Sequence, residues 1–168
     1  MNSSLCLPGL FPPAQPSPST IPQLIAVGLA ALDKLKGFIG PDQRRTVAHL
    51  IRHSEEREWF VDAMARLADT VATMPVTYQQ DGLGNAAVVH LHYFTAGTDV
   101  WVTEKDKGSP DDGPEDFQSQ AFGLIRHASM PDEAETGYVS IPELLSVSAE
   151  LDFHFTPTTL AAIYERIG

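Results

Sequence analysis

Cysteine is nearly absent from this chain. Cys6 is the only one, which excludes an internal disulfide and points to a reducing compartment. Basic residues are also scarce, with eleven Lys and Arg against 22 Asp and Glu, and none of them cluster. Direct binding to DNA or RNA is thereby disfavoured, because phosphate contacts draw on Lys and Arg. An anionic membrane surface is disfavoured for the same reason. No window approaches the ~18 apolar residues of a membrane span. The opening residues MNSSLCLPGLF lack the basic start and apolar run of a secretory signal. These absences predict a cytoplasmic protein with no cofactor.

Catalytic signatures are missing as well. Ser140, Thr103 and Cys6 could act as nucleophiles, but none stands in a nucleophile elbow. The segment DGLGN at Asp81 to Asn85 has the glycines of a phosphate loop without its Lys or its strand-to-helix setting, so it reads as a hairpin turn. The acidic loops lack the spacing of an EF-hand calcium site.

What the chain does have is acid concentrated in one third of its length. Between Asp99 and Asp152 thirteen Asp or Glu face only Lys105, Lys107 and Arg126, a balance of −10 in a chain whose total is −11. Residues 1–98 carry eight acids and seven bases and are nearly neutral. One lobe should therefore project a negative potential, suited to a basic partner, a cation or solubility.

At 168 residues the chain has the length of one domain. Six prolines from Pro8 to Pro22, with Ser, Thr, Gln and Ala between them, cannot form helix or sheet ladders. Residues 1–20 are therefore expected to be a disordered, proline-rich arm. Residues 21–168 are expected to form a single α+β domain, with 21–74 helical and 75–168 forming the sheet.

Thr20 and Pro22 open a helix whose apolar stripe runs through Leu24, Ile25, Val27, Leu29, Leu32 and Leu35 to Gly37. From Asp42 to Met74 the spacing stays at three and four, and Ser54 followed by two Glu favours a break into two helices. Pro75 closes the helical half, and the period then becomes two.

VTYQQ at 76–80 is a short strand candidate, and AAVVHLHYF at 86–94 is the strongest. In that strand Ala87, Val89, Leu91 and Tyr93 would share one face, and Val88, His90, His92 and Phe94 the other. VWVTE follows a hairpin, then QAFGLI and GYVSI. Ser140 with Glu143 makes a capping box for a brief helix. LDFHF at 151–155 alternates as a strand, and Thr156 with Pro157 would open the last helix. The expected fold is α+β, with N-terminal helices on a mostly antiparallel sheet of four to six strands and a short C-terminal helix.

Several of these pieces carry a resemblance. LHYF at Leu91 to Phe94, WVTEKD at Trp101 to Asp106, AFGL at Ala121 to Leu124, GYVSIPEL at Gly137 to Leu144 and ELDFHFTP at Glu150 to Pro157 together resemble a bacterial domain family of unknown function, common on plasmids and other mobile elements. The match covers about residues 75–157. The resemblance implies a host element and no transferable catalytic residue. Proteins from such cargo regions often protect the element, for example by blunting restriction or CRISPR systems, and many inhibitors of that kind are small, acidic and non-enzymatic.

Metal ligation is the main chemical alternative. His90 and His92, two apart on a strand, put both imidazoles on one face, and Glu104, Asp106 or His154 could add a third ligand. Tyr93 and Phe94 stand where the familiar metallohydrolase pattern has an Asp and a further His. His49 and His53 are at i and i+4 on a helix, but Leu50 replaces the Glu of the helical metalloprotease motif. A glycosidase-like carboxylate pair among Glu104, Asp106 and Asp152 is weakly specified, because acids are abundant here.

The acidic loops carry the sharper reading. Asp106, Asp111, Asp112, Glu115 and Asp116, with Asp132, Glu133 and Glu135, could accept Arg and Lys from a groove that normally holds phosphates. Trp101 or Tyr138, if exposed beside them, would be the anchor. The expected function is a non-enzymatic module that binds a basic protein surface, that of a nucleic-acid-handling defence complex, in the manner of an anti-CRISPR or anti-restriction protein. One alternative is a small metal-dependent hydrolase centred on His90, His92 and Glu104. Another is an accessory or regulatory factor of a plasmid. Edge strands near Pro75 or Gly137 would permit a homodimer.

Overall fold

A computed structural model of the chain describes residues 20–107, 118–130 and 133–168. The proline-rich arm and most of the acidic loop after Asp106 lie outside these residues.

Three helices come first. α1 (Ile21–Lys34) starts where the Thr20 backbone N–H donates to the Gln23 side chain at 2.9 Å. α2 (Pro41–His53) and α3 (Arg57–Thr73) are separate. Ser54 divides them, its hydroxyl accepting from the Glu56 N–H at 3.0 Å. α1 and α3 pack so closely that a Cβ on Gly28 would lie 2.7 Å from Val61 Cγ2.

The sheet is antiparallel, with five strands in the order β5-β4-β3-β2-β6. They are β2 (Leu91–Thr95), β3 (Thr98–Lys105), β4 (Ala121–His127), β5 (Ala134–Val139) and β6 (Glu150–Leu151). A second, two-stranded sheet pairs β1 (Val88–Val89) with β7 (Thr158–Thr159). α4 (Ile141–Ser146) follows β5, with the Ser140 hydroxyl accepting from the Glu143 N–H at 3.3 Å. α5 (Leu160–Ile167) ends the chain. The fold is α+β, as the change of period at Pro75 indicates.

Paired residues share a face of an antiparallel sheet. Leu91, Tyr93, Val100 and Val102 point toward the three helices and form the main core with Leu35, Ile51, Met64 and Leu67. Trp101 and Leu124 point the other way, into a smaller cluster with Val89, Phe155, Leu160 and Ile163. Long-range polar clamps tie the helical side to the sheet. Tyr93 donates its hydroxyl to the Phe38 carbonyl at 2.6 Å, and burial raises its pKa far above the ordinary value. Gln43 bonds both the carbonyl and the N–H of Leu151, at 2.9 and 3.1 Å.

Four local expectations are corrected. VTYQQ is a run of turns, touching the sheet only through a Val76–Lys105 bridge, because Tyr78 adopts a positive φ of 74° that ends any strand. The long strand 86–94 breaks at His90. There Val89 belongs to the outer cluster and Leu91 to the helix-side core, because β1 pairs with β7 whereas β2 pairs with β3. LDFHF keeps only Leu151 in a strand. The Asp152 carboxylate accepts from the His154 N–H at 2.9 Å, and Arg66 takes the Phe153 and Phe155 carbonyls, turning the segment out of the sheet. The last helix is capped by Thr159 and not by Thr156. Its hydroxyl accepts from the Ala162 N–H, and the Leu160 N–H is already taken by the Ala87 carbonyl.

Candidate functional site

The outer face of the sheet carries a cavity of about 520 Å³ between the 77–87 turns, the ends of β3, β4 and β5, and α5. A bulge in β3 creates its polar floor. The register slips between Val102 and Glu104, so Glu104 pairs with Phe122 and lies on the same face as Trp101. Without that extra residue the alternation of β3 would send Glu104 into the helix-side core.

Glu104 is 4% exposed. One carboxylate oxygen accepts from the Tyr78 N–H at 2.9 Å and the other from the Gln80 N–H. This arrangement holds the turn at its unusual φ and partly compensates a buried charge. Gln80 completes the clamp by donating to the Val88 and Thr103 carbonyls at 2.8 and 2.9 Å and accepting from the Val88 N–H at 2.6 Å. Lys105 is next in sequence but faces away, its ammonium donating to the Val71 carbonyl at 2.5 Å. Burial there lowers its pKa.

The cavity walls are aromatic. Phe122 and Tyr138 meet edge to face at 5.4 Å, and Tyr164 comes from α5. Tyr138 donates its hydroxyl to that of Tyr78 at 3.0 Å, and this bond holds the Tyr138 proton and raises its pKa. The nearby carboxylates of Glu104 and Asp81 act in the same direction. Tyr78 is 73% exposed and Tyr138 50%.

Of the two aromatics considered as anchors, Tyr138 is exposed and Trp101 is not. Trp101 is buried in the outer cluster with the His92 ring stacked on it at 5.2 Å, because its strand neighbours Val100 and Val102 take the helix side. Glu133 and Glu135 are exposed. Glu135 lies in β5 and not in a loop, opposite Ile125. Asp106 accepts from Ser119 and from the Gln120 N–H at 3.3 Å, while its own N–H donates to Gln118 Oε1. Asp111, Asp112, Glu115, Asp116 and Asp132 lie outside the described residues.

Among the described residues, the structure does not gather the candidate ligands of the metal-dependent alternative into one group. His92 is held between two carboxylates, Nδ1 at 3.1 Å from Asp152 and Nε2 at 3.0 Å from Asp99. Glu104 accepts from the Tyr78 and Gln80 amides. The Nε2 of His90 is buried with no hydrogen-bond partner, and burial lowers its pKa. Among the described residues no three His, Cys, Asp or Glu side chains are grouped to hold an ion. His49 and His53 are exposed, with their rings 4.7 Å apart. His154 lies against Trp59 at 4.8 Å.

Tyr78, Gln80, Asp81 and Tyr164 are the site residues that sequence reasoning missed. Only the QQDG turn signal hinted that Tyr78 leaves the strand pattern. No helix of the described residues is long and apolar enough to cross a membrane. No protein-family model matches the chain, and neither a curated protein nor a solved structure matches it.

Proposed function

We propose that the chain is a non-enzymatic, acidic module that binds a basic protein surface. The observation that supports this reading is the composition of the exposed sheet edge. β5 is the last strand of its sheet, and no strand among the described residues pairs with its outer side. That edge carries the exposed Glu135 on its helix-side face and the exposed Thr136 and half-exposed Tyr138 on its outer face, with Glu133 just before it. Acid steers a basic partner toward the surface, and a tyrosine with its polar tip in water gives that partner something to pack on. Unpaired backbone groups at such an edge can also accept an added strand.

The target class we favour is a nucleic-acid-handling assembly whose basic groove the module occupies, in the manner of an anti-restriction or anti-CRISPR protein. The motif resemblance to a mobile-element family supports that choice.

The test is capture from bacterial lysate at low and high salt. Wild type is compared with a variant carrying Asp111, Asp112, Glu115, Asp116, Glu133 and Glu135 changed to Lys. A basic partner held at low salt, released at high salt and lost by the variant is the expected result. No partner, or one indifferent to both salt and charge reversal, overturns the reading.

A further inference from the structure

The cavity beside Glu104 has three properties that together specify a ligand group. Its floor is a carboxylate buried beyond nine-tenths. Its walls are Phe122, Tyr138 and Tyr164, and at its mouth stand the exposed Tyr78 and Asp81. Among the described residues no cationic side chain is paired with Glu104, and Lys105 is turned to the opposite face.

Acceptor capacity narrows the choice. A carboxylate offers about four acceptor positions, two on each oxygen. The Tyr78 and Gln80 amides use one on each. One position per oxygen remains, so a charged donor entering the cavity can still bond the carboxylate. A planar, weakly hydrated guanidinium also stacks on aromatic rings, whereas a compact ammonium is more strongly hydrated and makes a single point contact. A volume of about 520 Å³ falls within the roughly 300–1,000 Å³ range of small-molecule sites and leaves room for a side chain entering from a protein surface.

We propose that this cavity receives the guanidinium of one arginine side chain from the basic partner, with Glu104 as its charged acceptor and Tyr138 and Tyr78 as its aromatic rim. The assignment rests on the protein-binding reading above and deepens it. Glu104 then has two roles on the same atoms, bracing the 78–80 turn and facing the incoming cation. The two amides that brace the turn also fix the carboxylate before the ligand arrives, which lowers the ordering cost of binding.

The test uses the full chain and N-acetyl-arginine amide as probe, followed by amide chemical shifts in NMR titration. The isosteric but uncharged N-acetyl-citrulline amide is the control. Saturable shifts at Tyr78, Gln80 and Phe122 with the arginine probe, and none with the citrulline probe, are expected. Glu104→Gln should weaken binding about tenfold or more, the loss of a charge-assisted pair. That variant could also disturb the turn, so Tyr138→Ala is measured beside it. Its side chain is half exposed, and it should keep the wild-type spectrum elsewhere while weakening the arginine probe several-fold. Equal shifts with both probes, or no shift at Tyr78 and Gln80, overturn the assignment. Saturable arginine binding by a chain that captures no protein would support the pocket and sink the partner reading. A captured partner that the arginine probe cannot displace, and that Tyr138→Ala retains, would overturn the pocket.

Discussion

The two faces of the five-stranded sheet use alternate residues of the same strands for opposite ends. On the helix side Leu91, Tyr93, Val100 and Val102 are buried against α1 and α3, and the polar groups present are spent on clamps between layers. On the outer side the same strands supply His92, Glu104, Phe122 and Tyr138, a polar and aromatic set only partly covered by α5. The difference teaches where stability and recognition are separated in this molecule. A helix-side residue, or one in the buried outer cluster with Trp101 and Leu124, should cost folding when changed, and an exposed outer-face residue should cost binding.

The sharpest way to break that division is at Gly123, which pairs with Val102 beside the bulge. A Cβ there would lie 2.2 Å from the Trp101 carbonyl oxygen, a backbone atom that cannot swing away. Gly123→Ala should therefore cost about 3 kcal/mol or more in urea unfolding, as overpacking against fixed atoms does, and should distort the bulge that presents Glu104. Next comes Tyr93→Phe on the helix side. It strands the Phe38 carbonyl in the core and should cost about 1–3 kcal/mol without changing partner capture.

His90 stands where the chain changes faces, and its effect has a sign set by pH. Burial lowers its folded pKa below the ordinary 6.5, so the unfolded chain binds more protons in that interval. Its contribution to stability is complete above about pH 6.5 and falls as the pH drops toward the folded value. His90→Leu removes both the orphaned Nε2 and this titration, so it should raise stability by roughly 1 kcal/mol and flatten melting temperature against pH between 5 and 7. A variant as acid-sensitive as wild type would assign that sensitivity elsewhere.

The smallest effect on folding belongs to the outer rim. Tyr78→Ala removes an exposed ring and one surface hydrogen bond, and should change stability by no more than about 0.5 kcal/mol, while weakening partner capture. A large loss of stability there would mean that the rim is part of the fold and not an appended surface.

Much of this was legible in the order of residues. The caps at Thr20 and Ser140, the break at Ser54 and the change of period after Pro75 are local effects, because neighbours in sequence satisfy the backbone groups concerned. The turn at 76–80 was not legible. Its strand-like VTY pattern is overruled by a carboxylate 24 and 26 residues away that takes the Gln80 and Tyr78 amides. The same applies to LDFHF, whose alternation is local but whose carbonyls are held by Arg66 from α3.

The sequence by itself determined the α+β order, the starts of the helices at Thr20 and Ser140, the break at Ser54 and the concentration of acid in the last half, because periodicity, caps and charge are read along the chain. Only the tertiary structure decided which carboxylate is buried, which aromatic is exposed, and that Glu104, Tyr78 and Tyr138 share one cavity. The physical reason is the bulge in β3. One extra residue reverses the face of everything after it, and whether a strand carries that residue depends on its partner across the sheet.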